Sequence, residues 1–205
     1  MKYLLLIFCF ALSSCNLFYK IIFGIKNPKI ESCHSINEYS QSIGIDSSSV
    51  VFAKDTLCLS KLANYFAGYQ DIIIFNKTHN FLAYKNDTVN CNASVDTVFK
   101  RICKIEDNFI RTKRKVDYDE FMSLFDDHNR ALEELKRGNF DYIIFADYAK
   151  YFDHVNRNHL PGWDKAIKSH HGNCRTKIIY VNLDYLNTWN ISKESLPTLN
   201  LSGNK

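Results

Sequence analysis

The sequence predicts an α/β protein built on a mixed sheet, and three observations predict it. Short apolar runs rich in β-branched residues, Ile72-Ile73-Ile74-Phe75 and Tyr142-Ile143-Ile144-Phe145-Ala146 among them, alternate with segments of helical periodicity. Two strands near the end of the chain are separated by one helix's worth of residues, the spacing of a β-α-β unit with parallel strands. Hydrophobic residues make up 46% of the 205-residue chain and aromatics 14%, which excludes a disordered protein, while only 3 Pro and 7 Gly leave little room for long linkers.

Taken in order, Ser35-Ile36-Asn37-Glu38 has the form of a capping box and opens a short helix that Gly44 is placed to end. Val50-Val51-Phe52-Ala53 reads as a strand, residues 60–66 as a short helix and residues 71–75 as a buried strand. Residues 76–80 form a turn, and Phe81-Leu82-Ala83-Tyr84-Lys85 returns as the second arm of a hairpin. Val95, Val98, Phe99 and Ile102 then fall at helical spacing across residues 94–103, so the first half reads β-α-β-β-α.

A charged connector follows over 104–116, and its basic run Arg111-Thr112-Lys113-Arg114-Lys115 reads as a solvated loop. Residues 117–137 are predicted as one long helix, capped by Asp117 with Glu120, carrying Phe121, Leu124, Phe125, Leu132 and Leu135 on one face and stopped by Gly138. A strand over 141–147, a helix over 158–170 with Pro161 in its first turn, and a strand over 177–184 complete the pattern.

The first fifteen residues have a charged start, about ten apolar residues, two serines and a cysteine. Such a stretch is too short to cross ~30 Å of hydrocarbon, which takes about 20 residues in a helix. Leu12-Ser13-Ser14-Cys15 resembles the lipobox of bacterial lipoproteins. That resemblance implies cleavage of a signal peptide at 1–14, acylation of Cys15, and a lipid anchor in a membrane of the bacterial cell envelope, the outer rather than the inner. Residues 15–32 are then expected to be a membrane-proximal tether whose aromatic side chains lie at the lipid interface.

The formal charge of +4 is mild, and an exported protein meets little nucleic acid, so none is expected as a partner. Beyond Cys9 and Cys15 the chain has Cys33, Cys58, Cys91, Cys103 and Cys174, an odd set that cannot all pair internally, with no Cys-x-x-Cys. Buried inert thiols are the default reading. Cys91 is the candidate for a lone reactive thiol because it stands just ahead of a predicted helix, whose N-terminal dipole lowers a thiol pKa, although a turn cysteine without chemistry fits the same position. Cys58 and Cys174 are weaker cases. His154 and His159 are separated from His170 and His171 by about three helical turns, so surface histidines are expected, with no metal site and no cofactor.

Residues 145–152, Phe-Ala-Asp-Tyr-Ala-Lys-Tyr-Phe, resemble the strand of thioredoxin-like proteins that ends in Phe-x-Ala-x-Trp-Cys, and Pro161 resembles the proline that kinks that family's first helix. Tyr180-Val181-Asn182-Leu183-Asp184 is similar to the family's Val-Asn-x-Asp strand, and Leu196-Pro197-Thr198-Leu199 to the segment carrying its cis proline. The resemblance covers roughly 60 residues and implies a three-layer α/β/α fold around a mixed sheet. At the positions of the family's two cysteines this chain has Phe152 and Val155, and disulfide exchange needs a thiolate to attack and a second thiol to release the mixed disulfide.

The segment after Pro197 ends before the family's final hairpin and helix, while the first half contains a strand, hairpin and helix of the missing kind. The expected units are therefore 33–104, a connector and helix over 105–140, and 141–205. They form either two incomplete modules or one permuted sheet. The resemblance implies a groove beside Pro197, Tyr151 and Trp163 in which an extended peptide or protein segment pairs as an added strand. The function expected is that of a membrane-anchored binding module without redox activity; the alternative is an atypical thiol-dependent redox enzyme using a lone cysteine such as Cys91.

Overall fold

The computed structural model describes residues 20, 24–66, 69–85, 95–104, 112–126, 129–169 and 174–197. Cys15, Cys91, His170 and His171 lie outside the described residues. The central sheet has five strands in the order β2 (Val50–Phe52), β6 (Thr176–Asn182), β5 (Tyr142–Tyr148), β3 (Ile72–Asn76) and β4 (Phe81–Leu82). β2, β6 and β5 are parallel, β3 is antiparallel to β5, and β4 is antiparallel to β3. The register between the halves runs from Ile72 opposite Ala146 to Asn76 opposite Tyr142. Strands from both halves of the chain share this five-stranded sheet, the first half supplying β2 and the β3–β4 hairpin.

Period-two alternation divides the buried strands between two cores. Ile72, Ile74, Ile144, Tyr148, Ile178 and Tyr180 face α1 (Cys33–Ser42), α3 (Val95–Lys100) and α6 (Asp153–Lys168). Ile73, Phe75, Phe145, Ile179 and Val181 face α2 (Thr56–Tyr65), α4 (Tyr118–Met122) and α5 (Arg130–Arg137). Phe121 is fully buried at the centre of the second core, edge-on to Phe145 at 4.9 Å and to Phe125 at 5.2 Å.

Several predicted boundaries move, each for a stated cause. The single helix expected over 117–137 is two helices, α4 and α5, because residues 124–126 leave the helical path to cover the open edge of β2. There Lys54 N–H donates to the Leu124 carbonyl (3.0 Å), Asp126 N–H to Phe52 (3.1 Å), and the Asn129 side-chain amide to Val50 (2.7 Å). An edge strand's backbone groups need partners as much as a helix's do. Asp117 and Asn129 cap the two helices through the backbone N–H groups of Glu120 and Ala131.

α1 starts two residues before the predicted capping box. Ser32 is its cap, accepting from Ser35 N–H, and the Ser35 hydroxyl donates to Glu31 instead (2.6 Å). Gly44, at φ +80, follows the end of the helix as predicted. α2 begins at Thr56 rather than 60, capped by Asp55. α6 begins at Asp153, so Pro161 is inside the helix rather than in its first turn. β6 ends at Asn182, after which β7 (Tyr185–Leu186) pairs in parallel with β1 (Ile30–Glu31).

That pairing also changes the reading of the expected tether. Lys26 N–H donates to the Tyr151 carbonyl at 2.8 Å, and Gly24, at φ +58, passes so close to α6 that a Cβ there would lie 2.9 Å from His154 Cβ. Residues 24–31 are thus docked on the body. Cys103 and Cys174 form a disulfide across 71 residues, joining the segment after α3 to the start of β6. No helix among the described residues is long and apolar enough to cross a membrane.

Candidate functional site

β5 and β6 run side by side with Tyr148 opposite Asn182, so their carboxyl ends deliver polar side chains to one place. Ligand sites of open α/β sheets collect at such strand ends. Beyond β5 the chain makes one 3-10 turn, Lys150–Phe152, and enters α6. Asp184, buried just past β6, holds that turn: its carboxylate accepts from Lys150 N–H (2.7 Å) and from the Asn182 side-chain amide (2.8 Å). Burial raises the Asp184 carboxyl to about 6, although both bonds favour its ionised form.

The Lys150 ammonium turns the other way and donates to Glu31 (2.8 Å) and to the Ser35 hydroxyl (2.6 Å), bringing β1 and α1 to the site. Burial pushes the Glu31 carboxyl up, but the bonds from Lys150 and Ser35 outweigh it and leave the group below its usual range. On α6, Arg157 pairs with Asp153 (2.9 Å), reaches the Ser42 carbonyl (3.3 Å) and lies over the Tyr39 ring. Lys26 and Lys29 approach from the docked N-terminal segment, and Tyr39 and Tyr151 supply aromatic walls. Together these groups line an open cavity of about 220 Å³.

Beneath the cavity, buried Asn156 fixes the β5–α6 junction by donating to the Tyr39 hydroxyl and to the Ala149 carbonyl, both at 2.8 Å, and accepting from Tyr69. The Tyr69 ring stacks on Phe152 with centroids 3.5 Å apart. Tyr69, in the segment leading into β3, thus covers one face of Phe152. The groove expected from Pro197, Tyr151 and Trp163 is not assembled. Trp163 is 2% exposed and packs on Phe99 in the core, Tyr151 lines the cavity, and Pro197 is exposed and follows a trans peptide. Val155 is half-buried in the first turns of α6, while His154 and His159 are exposed.

A second polar cluster closes the sheet beside Asp147. Asp71, fully buried, meets Lys85 at 3.1 Å, Arg114 at 3.3 Å and the Tyr84 hydroxyl. Its own N–H donates to Asp147 (2.5 Å). Burial first, and the neighbouring Asp71 second, raise the Asp147 carboxyl well above the usual range. Arg114, read from sequence as part of a solvated basic loop, also donates to the Tyr65 carbonyl and so ties residues 112–117 to the body.

Of the thiols, Cys174 is consumed in the disulfide, which removes it as a reactive candidate. Cys33 and Cys58 are free and half-buried; desolvation pushes both above the ordinary thiol value, and the Asp55 carboxylate adds to the rise at Cys58. Among the described residues, no group of three or more His, Cys, Asp or Glu side chains is placed to hold a metal ion.

Sequence reasoning missed Glu31, Lys150, Asp184 and the Asp71–Asp147 pair. One local signal pointed at Asp147: it is a lone acid inside the otherwise apolar-aromatic run 142–148. Comparison of the chain with protein-family models, curated proteins and solved structures finds no match.

Proposed function

We propose that the chain is an exported, lipid-anchored binding protein of the bacterial cell envelope, with a permuted thioredoxin-like fold that carries no dithiol chemistry. One observation carries the reading. Where the resembled family has two thiols at the head of a helix, α6 begins with Phe152 and Val155 beside an open cavity lined with charged and aromatic side chains. A site of that kind can hold a ligand or a partner's side chain, but it has no group able to exchange a disulfide.

Three further features support it. The sheet takes its antiparallel hairpin from the first half, which is what a permuted reading requires. A disulfide persists in oxidising compartments, in keeping with export. The free thiols at Cys33 and Cys58 are raised, the opposite of an activated cysteine. Strand addition at β2 is the less favoured mode of binding, since Leu124, Asp126 and Asn129 already bond its open edge. A partner peptide or protein is instead expected to present a side chain or terminus to the cavity.

Intact-mass analysis of native protein extracted from membranes, with thiol alkylation at graded pH, tests the proposal. The expected result is acyl mass on a chain beginning at Cys15, with Cys33 and Cys58 alkylated only at alkaline pH. A thiol labelled well below pH ~8.5, Cys91 above all, replaces the reading with the lone-thiol enzyme. An unacylated N-terminus overturns the anchor.

A further inference from the structure

We propose that the cavity at the head of α6 binds a compact phosphate-bearing anion. The inference rests on the reading of this cavity as the protein's ligand site, and it adds the chemical class of the ligand.

The charges do not cancel. Four cations, Lys26, Lys29, Lys150 and Arg157, face three carboxyl groups, Glu31, Asp153 and Asp184. Glu31 is taken by Lys150 and Asp153 by Arg157. Asp184 accepts from a backbone N–H and a side-chain amide. Lys26 and Lys29 form no ion pair within 4.0 Å among the described residues, although Glu31 feels the Lys29 charge. Two ammonium groups thus remain available at the rim.

The helix adds to them. α6 is sixteen residues long and opens at the cavity, and its cap residue, Phe152, supplies no side-chain bond to the first-turn N–H groups. An uncapped helix start offers aligned donors and a partial positive charge to an anion. A dianion with three free oxygens uses the two lysines and the helix end together, whereas one carboxylate leaves part of that set unmet.

Size fixes the scale. At about 30 Å³ per water, 220 Å³ is room for roughly seven waters, enough for a phosphate group and a few carbons. Tyr39 and Tyr151 give the carbon portion an aromatic wall. Such a group can belong to a soluble phosphate monoester or to a lipid headgroup. Lys26 is eleven residues beyond Cys15, a span of at most about 40 Å, so a headgroup is within reach of an anchored chain.

The test uses the full chain in detergent. Inorganic phosphate and glycerol 3-phosphate, each at about 10 mM, are titrated against the wild type and a Lys26→Ala/Lys29→Ala variant, with chloride at matched ionic strength as control. Because both lysines are exposed, the variant is expected to fold. The expected result is a raised unfolding midpoint in wild type with phosphate but not chloride, and affinity at least about tenfold weaker in the variant. No shift, or an equal shift in both proteins, overturns the proposal.

Cosedimentation separates the sources. Binding to phosphatidylglycerol vesicles but not phosphatidylcholine, competed by glycerol 3-phosphate and lost in the variant, identifies a headgroup; glycerol 3-phosphate binding without vesicle binding identifies a soluble monoester. The phosphate titration judges the anion alone, and the acylation and alkylation results judge the anchored, redox-inactive reading alone.

Discussion

Replacing Asp184 with asparagine is expected to remove a pH dependence of stability that the wild-type chain carries between about pH 4 and pH 6. The carboxyl is 2% exposed, and burial raises it from 3.8 to about 6. Within that window the folded state holds a proton that the unfolded state has released. Stability from this group is therefore fully present below about pH 4, declines as pH rises, and is lost once the folded carboxyl ionises near 6. A difference of about two units at 1.36 kcal/mol each amounts to about 3 kcal/mol.

Asparagine keeps a side-chain oxygen for the Lys150 N–H and the Asn182 amide and cannot ionise, so the contacts at the β5–α6 turn survive while the proton linkage does not. Equilibrium urea denaturation from pH 4 to pH 7 reads the effect. The stability of the variant relative to wild type is expected to rise by about 3 kcal/mol across the series, or about 1–1.5 M in the midpoint for an m-value of about 2–3 kcal/mol/M. Glu31, held low, and Asp147, held high, titrate in both proteins and largely cancel from the difference. A difference that stays constant from pH 4 to pH 7 refutes the argument that burial at this site favours the protonated acid.

Other perturbations test the remaining structural claims. Asp71→Asn leaves Lys85 and Arg114 without their shared carboxylate at the sheet end, and a loss of about 3–5 kcal/mol is expected by chemical denaturation; a loss under about 1 kcal/mol shows that the cluster is solvated. Converting Cys103 and Cys174 to serine opens a loop spanning 71 residues, for an expected loss of about 4 kcal/mol by loop entropy, and reducing agent is expected to destabilise the wild type but not the double variant. Gly24→Ala puts a side chain at φ +58 and 2.9 Å from His154 Cβ, so the docked N-terminal segment is expected to release and become a tryptic site at Lys26 and Lys29; unchanged cleavage there contradicts the docking.

The parts of this fold that were legible in the sequence are those whose burial is written into consecutive residues. The runs at 72–75 and 142–146 are apolar at every position because both faces of the central strands are covered, and the helical spacing of Val95, Val98 and Phe99 marks a helix against the sheet. The helix over 117–137 failed for a reason outside its own residues. Leu124 and Phe125 continue its apolar face, but the backbone there is needed by β2, some seventy residues earlier, and no periodicity encodes that demand.

The same physics explains what could and could not be seen of the site. Tyr151 and Phe152 were located by a local motif, but their partners come from far off. Tyr69 covers Phe152, and Glu31 meets Lys150 across 119 positions from a segment whose composition reads as a tether. A charged residue next to an apolar run reads in sequence as the end of a strand in water. Asp71, Asp147 and Asp184 are instead buried at strand ends, each held by hydrogen bonds that form only when distant segments close over it. The acids that looked like boundaries are the groups around which the carboxyl end of the sheet is built, and the cations gathered there by the fold leave two lysines over for a ligand.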